Sequence, residues 1–270
     1  MSNKFFMVGS DPEGFLRDRE NRLVSAIGVV PGSKSDPFKT KHGSIQHDNI
    51  LAEFNSIPAA SLHDFINNHR LIIRDLEEVL SPLNLKLDFS ASAVADQGLL
   101  SDPLAIRAGC EPDYNAWTLS ENIPPDYITT NTRAAGGHLH ISFDQAVNSP
   151  ENRVKFVKAL DLVLGVPSVI FDGDKERRKL YGKAGAFRPK DTNNSDPYDG
   201  VEYRTLSNFW LRSNELMSFV YQGVEEVYNN LDSLSDKAEY FKADILKAIG
   251  SGSKNKAIIL CKEAGINYAI

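Results

Sequence analysis

Four short stretches of this 270-residue chain carry polar or charged side chains two residues apart: Asp11 and Glu13, Glu53 and Asn55, His138 and His140, Glu202 and Arg204. In an extended strand, residues i and i+2 point to one face. The residues between and beside them are mostly apolar, as with Phe54, with Leu139, Ile141 and Phe143, and with Val201 and Tyr203. Strands of this kind pack one face on helices and gather carboxylates and imidazoles on the other. Charges inside a domain are costly unless paired, hydrated or bound to metal. A ligand set of carboxylates with one or two imidazoles suits hard Mg²⁺ or Mn²⁺ better than it suits the sulfur-containing sites of zinc. Magnesium in turn points to phosphate chemistry. Asp48, five residues before Glu53, has the wrong parity to share its face in one regular strand and would need a bulge, so it ranks below the others.

Residues 176–188 place Arg177, Arg178, Lys183 and Arg188 around two flexible glycines, just before the Glu202 stretch. Arginine forks and backbone N–H groups freed by glycine bind phosphate oxygens, so this segment reads as a phosphate clamp. Each feature alone has a bland reading. Asp11-Pro12-Glu13 could be a turn, His138 and His140 a structural pair, Glu202 and Arg204 a surface ion pair, and the basic segment a solvated loop. It is the recurrence beside four strand signals that favours a shared metal and nucleotide site.

The elements that must position these residues follow from periodicity. Strands are expected at 4–8 and 23–30, paired around a charged turn at 17–22, and at 45–57, 85–94, 137–143 and 201–206. Ser61 and Asp64 form a capping-box-like start to a helix whose apolar positions include Leu62, Phe65, Ile66, Ile72, Ile73, Leu76, Val79 and Leu80. Ser149, Pro150 and Glu151 open another helix. Residues 189–200 read as a surface loop, and from Trp210 onward the chain reads as helical, in three segments broken near 231 and 250–253.

Composition bounds the rest. Hydrophobic residues at 41% and charged residues at 24% describe a folding chain, with one large core the simpler arrangement for this length. A formal charge of −6 with scattered cations argues against a direct nucleic-acid surface. No apolar run reaches the roughly 20 residues of a membrane span, and no signal peptide is evident at the N-terminus, which reads as cytoplasmic. Cys110 and Cys261 have no CxxC partner and read as free thiols; nothing near Cys110 marks it as a nucleophile.

The order Asp-x-Glu, Glu-Phe-Asn-x-x-Pro at 53–58, Gly-Gly-His-Leu-His at 136–140 and Glu-Tyr-Arg at 202–204 resembles the glutamine synthetase and glutamate-cysteine ligase superfamily. GSDPEGFL, GCEPDYNAW at 109–117, GGHLHISF and GVEYRTLSNFW look more closely like the phage-encoded COOH-NH2 ligases of type 2. The likeness runs to about Trp210, and the last sixty or so residues add nothing specific to it. It implies an α+β fold: one glutamine synthetase-like catalytic domain over 1–270, with a curved, mainly antiparallel sheet backed by helices and a helical part at about 211–270. By motif, Asp11, Glu13, Glu53, His138 and Glu202 would hold metal, and His140 would line the substrate side; which imidazole takes which role is left open. Many members carry glutamate at the position of Asp11, so the shorter arm here would weaken one metal contact.

The implied activity is ATP- and Mg²⁺-dependent ligation of a carboxylate, glutamate by analogy with the family, to an amine through an acyl phosphate, in the host cytoplasm if the chain is phage-encoded. Arg204, Glu202 and His140 would be the catalytic residues, and Arg177, Arg178, Lys183, Arg188 and Arg204 the nucleotide contacts. Asn55, Asp113, Asn115 and His140 would contact substrate, although Asp113 and Asn115 have the alternative of capping a turn. The rival readings are a guanidino phosphotransferase on a similar sheet, a metal hydrolase or non-haem iron enzyme using the two histidines, and a non-catalytic binding or virion component. Oligomeric state is not legible.

Overall fold

A computed structural model describes residues 5–106, 113–123, 130–143, 149–190 and 199–268. The expectations for Cys110, for residues 109–112 of the GCEPDYNAW motif and for the loop at 191–198 lie outside them. Every pairing between its named strands is antiparallel. One sheet runs Phe6–Ser10, Leu139–Phe143, Gly200–Tyr203, Ala186–Lys190, Tyr114–Asn115, Ser120–Glu121 in spatial order. A second runs Leu23–Val24, Glu13–Arg17, Leu51–Ser56, Gly43–Asp48, Phe38–Lys39, with Lys86–Asp88 also paired to Glu13–Arg17. The chain crosses between them at Asp11 and Pro12, where proline fixes the backbone and supplies no N–H. The Val8–Ala59 bridge and the Glu13 N–H to Gly136 carbonyl bond (3.0 Å) tie the seam, giving a curled antiparallel surface.

Helices cover the apolar side of this surface. Ser61 caps Leu62–Leu80 by accepting the Asp64 N–H, and Phe65, His69, Ile72, Leu76 and Leu80 recur at helical spacing to make its buried face. Pro150–Leu160 starts at the Ser149 cap and passes through a π-turn at Asp161–Gly165 into Val166–Asp172. Among the described residues, the C-terminal part holds four helices rather than three: Asn214–Asn229, Leu231–Tyr240, Lys242–Ser251 and Lys254–Ala264. One buried apolar cluster runs from Val8 through Ile141, Phe156, Val201 and Trp210 to Ile266, so the helices share a core with the sheet. Cys261 lies in it, free, with its thiol pushed up to about 12 by burial.

Four strand expectations need correction. Residues 4–8 and 23–30 do not pair; Phe6–Ser10 pairs with Leu139–Phe143, and Leu23–Val24 with Glu13–Arg17, a strand hidden by its glycine and two charges. The stretch 45–57 is a hairpin, Gly43–Asp48 and Leu51–Ser56, turned at Asn49 with φ 56°, a left-handed conformation that asparagine tolerates. The stretch 85–94 splits into Lys86–Asp88 and Ser92–Val94. Ala186–Lys190 is a strand although it contains Pro189. Its pairing with Tyr114–Asn115 ends at Phe187, so among the described residues Pro189 costs no ladder bond on that edge.

Candidate active site

The hairpin correction builds the first half of the site. Glu13 stands opposite Glu53, and Glu53 opposite Gln46, so three strands present one polar row. Asp48 is two residues beyond Gln46 on the same strand and therefore joins that face. Glu13, Asp48 and Glu53 each offer a carboxylate oxygen, all within 4.8 Å of one another. The Gln46 amide donates to Glu53 Oε1 (2.9 Å), and Glu13 Oε2 accepts the Gly136 N–H (2.6 Å). Burial, then the charge of Asp48, pushes Glu13 up to about 8. Burial followed by the charges of Asp11, Asp48 and Glu13 holds Glu53 well above the usual carboxylate range.

The second half forms on the other sheet, where His140 faces Glu202 and Glu202 faces Arg188 across adjacent strands. Asp11, arriving from the seam, brings its carboxylate within 4.8 Å of His140 and Glu202. Asp11 Oδ1 lies 3.0 Å from His140 Nε2 and 3.3 Å from His138 Nδ1, and neither Asp11 Oδ1 nor His140 Nε2 makes a well-aligned hydrogen bond among the described residues. Glu202 is 3.5 Å from His138 Nδ1, 3.4 Å from Arg188 Nη1, and accepts a bond from Arg204 Nη1. Arg204 also donates to Asp113 Oδ2 (3.0 Å) and to the Tyr181 hydroxyl. Lys190 donates to His140 Nδ1 (2.9 Å).

Charge here is largely balanced within the protein. Burial opposes ionisation of Asp11, but His140 and His138 outweigh it and hold the carboxyl well below its ordinary value. Burial likewise opposes the His140 proton, and Asp11 and Glu202 retain it, raising His140. His138 falls to about 3 through burial and the charge of Arg204, so it is a neutral ring. Burial raises Glu202, with Asp11 adding to the effect. The paired glycines before His138 have a steric reason: a Cβ on Gly136 would sit 2.5 Å from His138 Nε2, and one on Gly137 2.2 Å from the Ser207 carbonyl.

The structure thus brings together Asp11, Glu13, Glu53, His138, His140, Glu202, Arg188 and Arg204, with Asp113 reaching them through Arg204. Asn55 is half-buried, two residues along from Glu53. The expected phosphate clamp does not form as expected. Arg177 is fully buried and donates to the carbonyls of Ala135 (2.9 Å), Thr205 (2.9 Å) and Leu206 (2.6 Å), the last of which also accepts the Gly137 N–H (3.0 Å), so its fork satisfies backbone acceptors inside the core. Arg178 is buried against Asp172 (3.1 Å) and Ser168 (3.2 Å). Lys183 is exposed, and the structure adds no contact that would place its ammonium in the cluster. Asn115 is engaged within its own turn, accepting the Trp117 N–H (2.9 Å) and donating to the Ala184 carbonyl (3.1 Å), the turn-capping arrangement that its sequence also allowed.

Sequence reasoning missed Gln46, Tyr181 and Lys190 and ranked Asp48 too low. Asn49 was the available signal for Asp48, since an Asp-Asn pair inside an apolar run marks a turn. Lys190 was absorbed into the loop expected at 189–200, and Tyr181 has no local pattern at all.

No curated protein matches the chain. Among solved structures, apo GmaS without ligand is similar at 11% identity over 97% of this chain and 69% of that one, with a TM-score of 0.44. A bifunctional glutathione synthetase from Pasteurella multocida shows 11% identity over 97% of this chain and 49% of its own length, at a TM-score of 0.42. A novel glutamine synthase homolog shows 12% identity over 96% and 67%, at 0.40. The family model for the phage phiEco32-like COOH.NH2 ligase-type 2 matches residues 128–263. That stretch contains His138, His140, Glu202 and Arg204, and it extends through the C-terminal helices that had carried no recognised likeness. Because the match covers just over half of the sequence, the chain belongs to the phage phiEco32-like COOH-NH2 ligase type 2 family, and so to the carboxylate-amine ligases.

Proposed function

We propose that the chain is an ATP- and Mg²⁺-dependent carboxylate-amine ligase, with Mn²⁺ able to replace Mg²⁺, that forms an amide bond through an acyl phosphate. The observation that carries this reading is the trio Glu13, Asp48 and Glu53: buried or half-buried carboxylates within 4.8 Å of one another, two of which, Glu13 and Glu53, are raised by burial and by the neighbouring carboxylates. A hard divalent cation reverses both penalties, and an all-oxygen donor set suits Mg²⁺. Asp11, Glu202 and a histidine would hold a second cation. Bound there, the cations would supply the positive charge that neutralises the phosphates of ATP.

The chain's own side chains do the rest. Arg204 and Arg188 flank Glu202 and present positive charge to the equatorial oxygens of the phosphoryl group in transfer. A substrate carboxylate attacks the γ-phosphorus and ADP leaves; an amine then attacks the acyl carbon and phosphate leaves. Asp113 and Tyr181 hold the Arg204 fork from the other side and so set its direction. Lys190 can only donate, so where it bonds His140 Nδ1 the ring is neutral with its proton on Nε2 facing Asp11, and a ring that takes up a second proton gives up the Lys190 bond; in both states Nε2 must be cleared of its proton before it can act as a ligand. Glutamate is the proposed acid, and the amine acceptor is left unspecified.

The domain proposal follows: residues 1–270 form one catalytic unit, since site and helices share a core. An ATP-consuming ligase works in the cytoplasm, the host's if the chain is phage-encoded; among the described residues no helix is long and apolar enough to cross a membrane. The test is Mg²⁺-dependent release of ADP and phosphate from ATP against a panel of amino acids and amines. Release requiring both a carboxylate and an amine supports the ligase. A stable phosphorylated product would instead give a phosphotransferase, and failure to bind Mg-ATP would give a non-catalytic component.

A further inference from the structure

A cavity of about 710 Å³ opens at the far end of the Glu13–Arg17 strand, the end away from the acidic cleft. Its lining includes Arg17, Arg19, Lys86 and Arg212 against two carboxylates, Asp18 and Asp88. Both carboxylates are engaged within the protein. Asp88 accepts from Arg17 Nε (2.6 Å), the Ser90 N–H (3.0 Å) and the Ser90 hydroxyl (2.8 Å). Asp18 accepts from Arg22 Nε (2.8 Å) and from the N–H groups of Glu20 (3.0 Å) and Arg22 (2.9 Å).

The cations are not equally engaged. Arg17 gives Nη1 to the Asn21 carbonyl (3.0 Å), Arg212 gives Nε and Nη2 to the Phe89 carbonyl (3.2 and 3.0 Å), and Arg19 gives Nη2 to Asn84. Arg17 Nη2, Arg212 Nη1, two donors of Arg19 and the Lys86 ammonium then have no partner among the described residues. A chain of formal charge −6 thus keeps a cavity with surplus positive charge and surplus donors. Arginine forks with open donors match phosphate oxygens, and the volume falls within the roughly 300–1,000 Å³ of small-molecule sites.

We propose that this cavity is a second ligand site, separate from the acidic cleft, for a multiply charged phosphate-bearing small molecule. It has a physical route to the cleft. The Asn208 amide donates both to the Ser90 carbonyl at the cavity (3.2 Å) and to the Glu13 carbonyl (2.8 Å). An occupant that moves residues 88–90 is therefore transmitted to the strand end that presents Glu13.

The test is calorimetric titration of tripolyphosphate into the full chain, with chelator present so that no divalent cation assists binding in the cleft, at physiological ionic strength. The expected result is one site per chain, weakened roughly tenfold or more by Lys86→Glu and, separately, by Arg19→Glu, and retained in Arg204→Met. Lys86 and Arg19 are exposed, so charge reversal leaves the fold intact. No binding to the unaltered chain overturns the proposal, as does binding that survives both reversals or is lost in Arg204→Met. Parallel titrations with AMP and pyrophosphate identify the source: tighter AMP names a nucleotide, tighter pyrophosphate a free oligophosphate, and each supports the site.

Discussion

The two halves of the cleft solve the same electrostatic problem in opposite ways. Around Asp11 and Glu202 the protein supplies its own counter-charge, from Arg188 and Arg204 on the carboxylate side and from His140 beside Asp11. Around Glu13, Asp48 and Glu53 the carboxylates crowd one another, and what opposes them is a glutamine amide, a backbone N–H and the weaker charges of Lys34 on Glu53 and Arg204 on Glu13. The first half is built to fold without an ion, while in the second burial and repulsion among carboxylates outweigh the opposing cations. The strands explain the difference: the Ala186–Lys190 strand delivers Arg188 and Lys190 beside Glu202, and the Gly43–Asp48 hairpin delivers Gln46 and Asp48 beside Glu53.

The contrast breaks most sharply at Glu202. Glu202→Ala is expected to abolish ATP-dependent phosphate release, by roughly a thousandfold or more, in a protein that remains folded. Because it leaves the buried Arg204 without its closest carboxylate, it should also cost about 3 kcal/mol of metal-free stability by denaturant titration. Full activity in this variant would remove the first half from the chemistry. Arg177 is the next cut, since it separates cations that serve the site from those that serve the scaffold. Arg177→Met removes three buried hydrogen bonds and leaves the Leu206 carbonyl only its Gly137 N–H, so a loss of about 3 kcal/mol is expected with little change in the KM for ATP. A raised KM at unchanged stability would restore the phosphate-clamp reading.

What could be read in advance followed the range of the interactions. The i, i+2 pairs located Glu53, His138, His140 and Glu202 because strand parity is local, and Ser61 marked its helix because capping is local too. Asp48 failed for a reason of the same kind: parity was counted through a turn that Asn49 makes, and a hairpin reverses which residues share a face. Arg177 failed differently. Glycines and arginines in one segment suggest phosphate, but what Arg177 meets is three carbonyls from residues 135, 205 and 206, and no local pattern announces a long-range contact. Tyr181 and Lys190 belong to that class.

Two histidines extend the comparison to pH. His140 keeps its proton because carboxylates face it, whereas His69 is buried behind the first sheet, giving Nδ1–H to the Phe65 carbonyl (2.6 Å) and accepting Ser10 Oγ at Nε2 (2.5 Å). Burial lowers His69 to about 4 from an ordinary 6.5. The unfolded chain therefore binds this proton below pH 6.5 while the folded chain refuses it until about 4, so stability is complete above 6.5 and is lost as pH falls through that window. The contribution is about 3 kcal/mol. Stabilities of the unaltered chain and His69→Gln, from denaturant titrations across this window, should change relative to each other by that amount between its two ends, and parallel pH profiles would mean that His69 is not a buried neutral ring.

The smallest expected effect discriminates best between the two halves. Glu53→Gln makes permanent the neutral form that the crowded trio favours, and keeps the size of Glu53 and its bond with Gln46. In metal-free buffer it should stabilise the protein by about 1 kcal/mol, since repulsion and desolvation are both relieved. Magnesium at about a hundred times its dissociation constant should stabilise the unaltered chain by about 2.7 kcal/mol, and most of that gain should vanish in Glu53→Gln. The pair of signs carries the argument. A structural carboxylate would lower metal-free stability when neutralised, and an adventitious cluster would show no magnesium gain to lose. Only a trio arranged to receive a cation is at once more stable without its charge and less responsive to the ion.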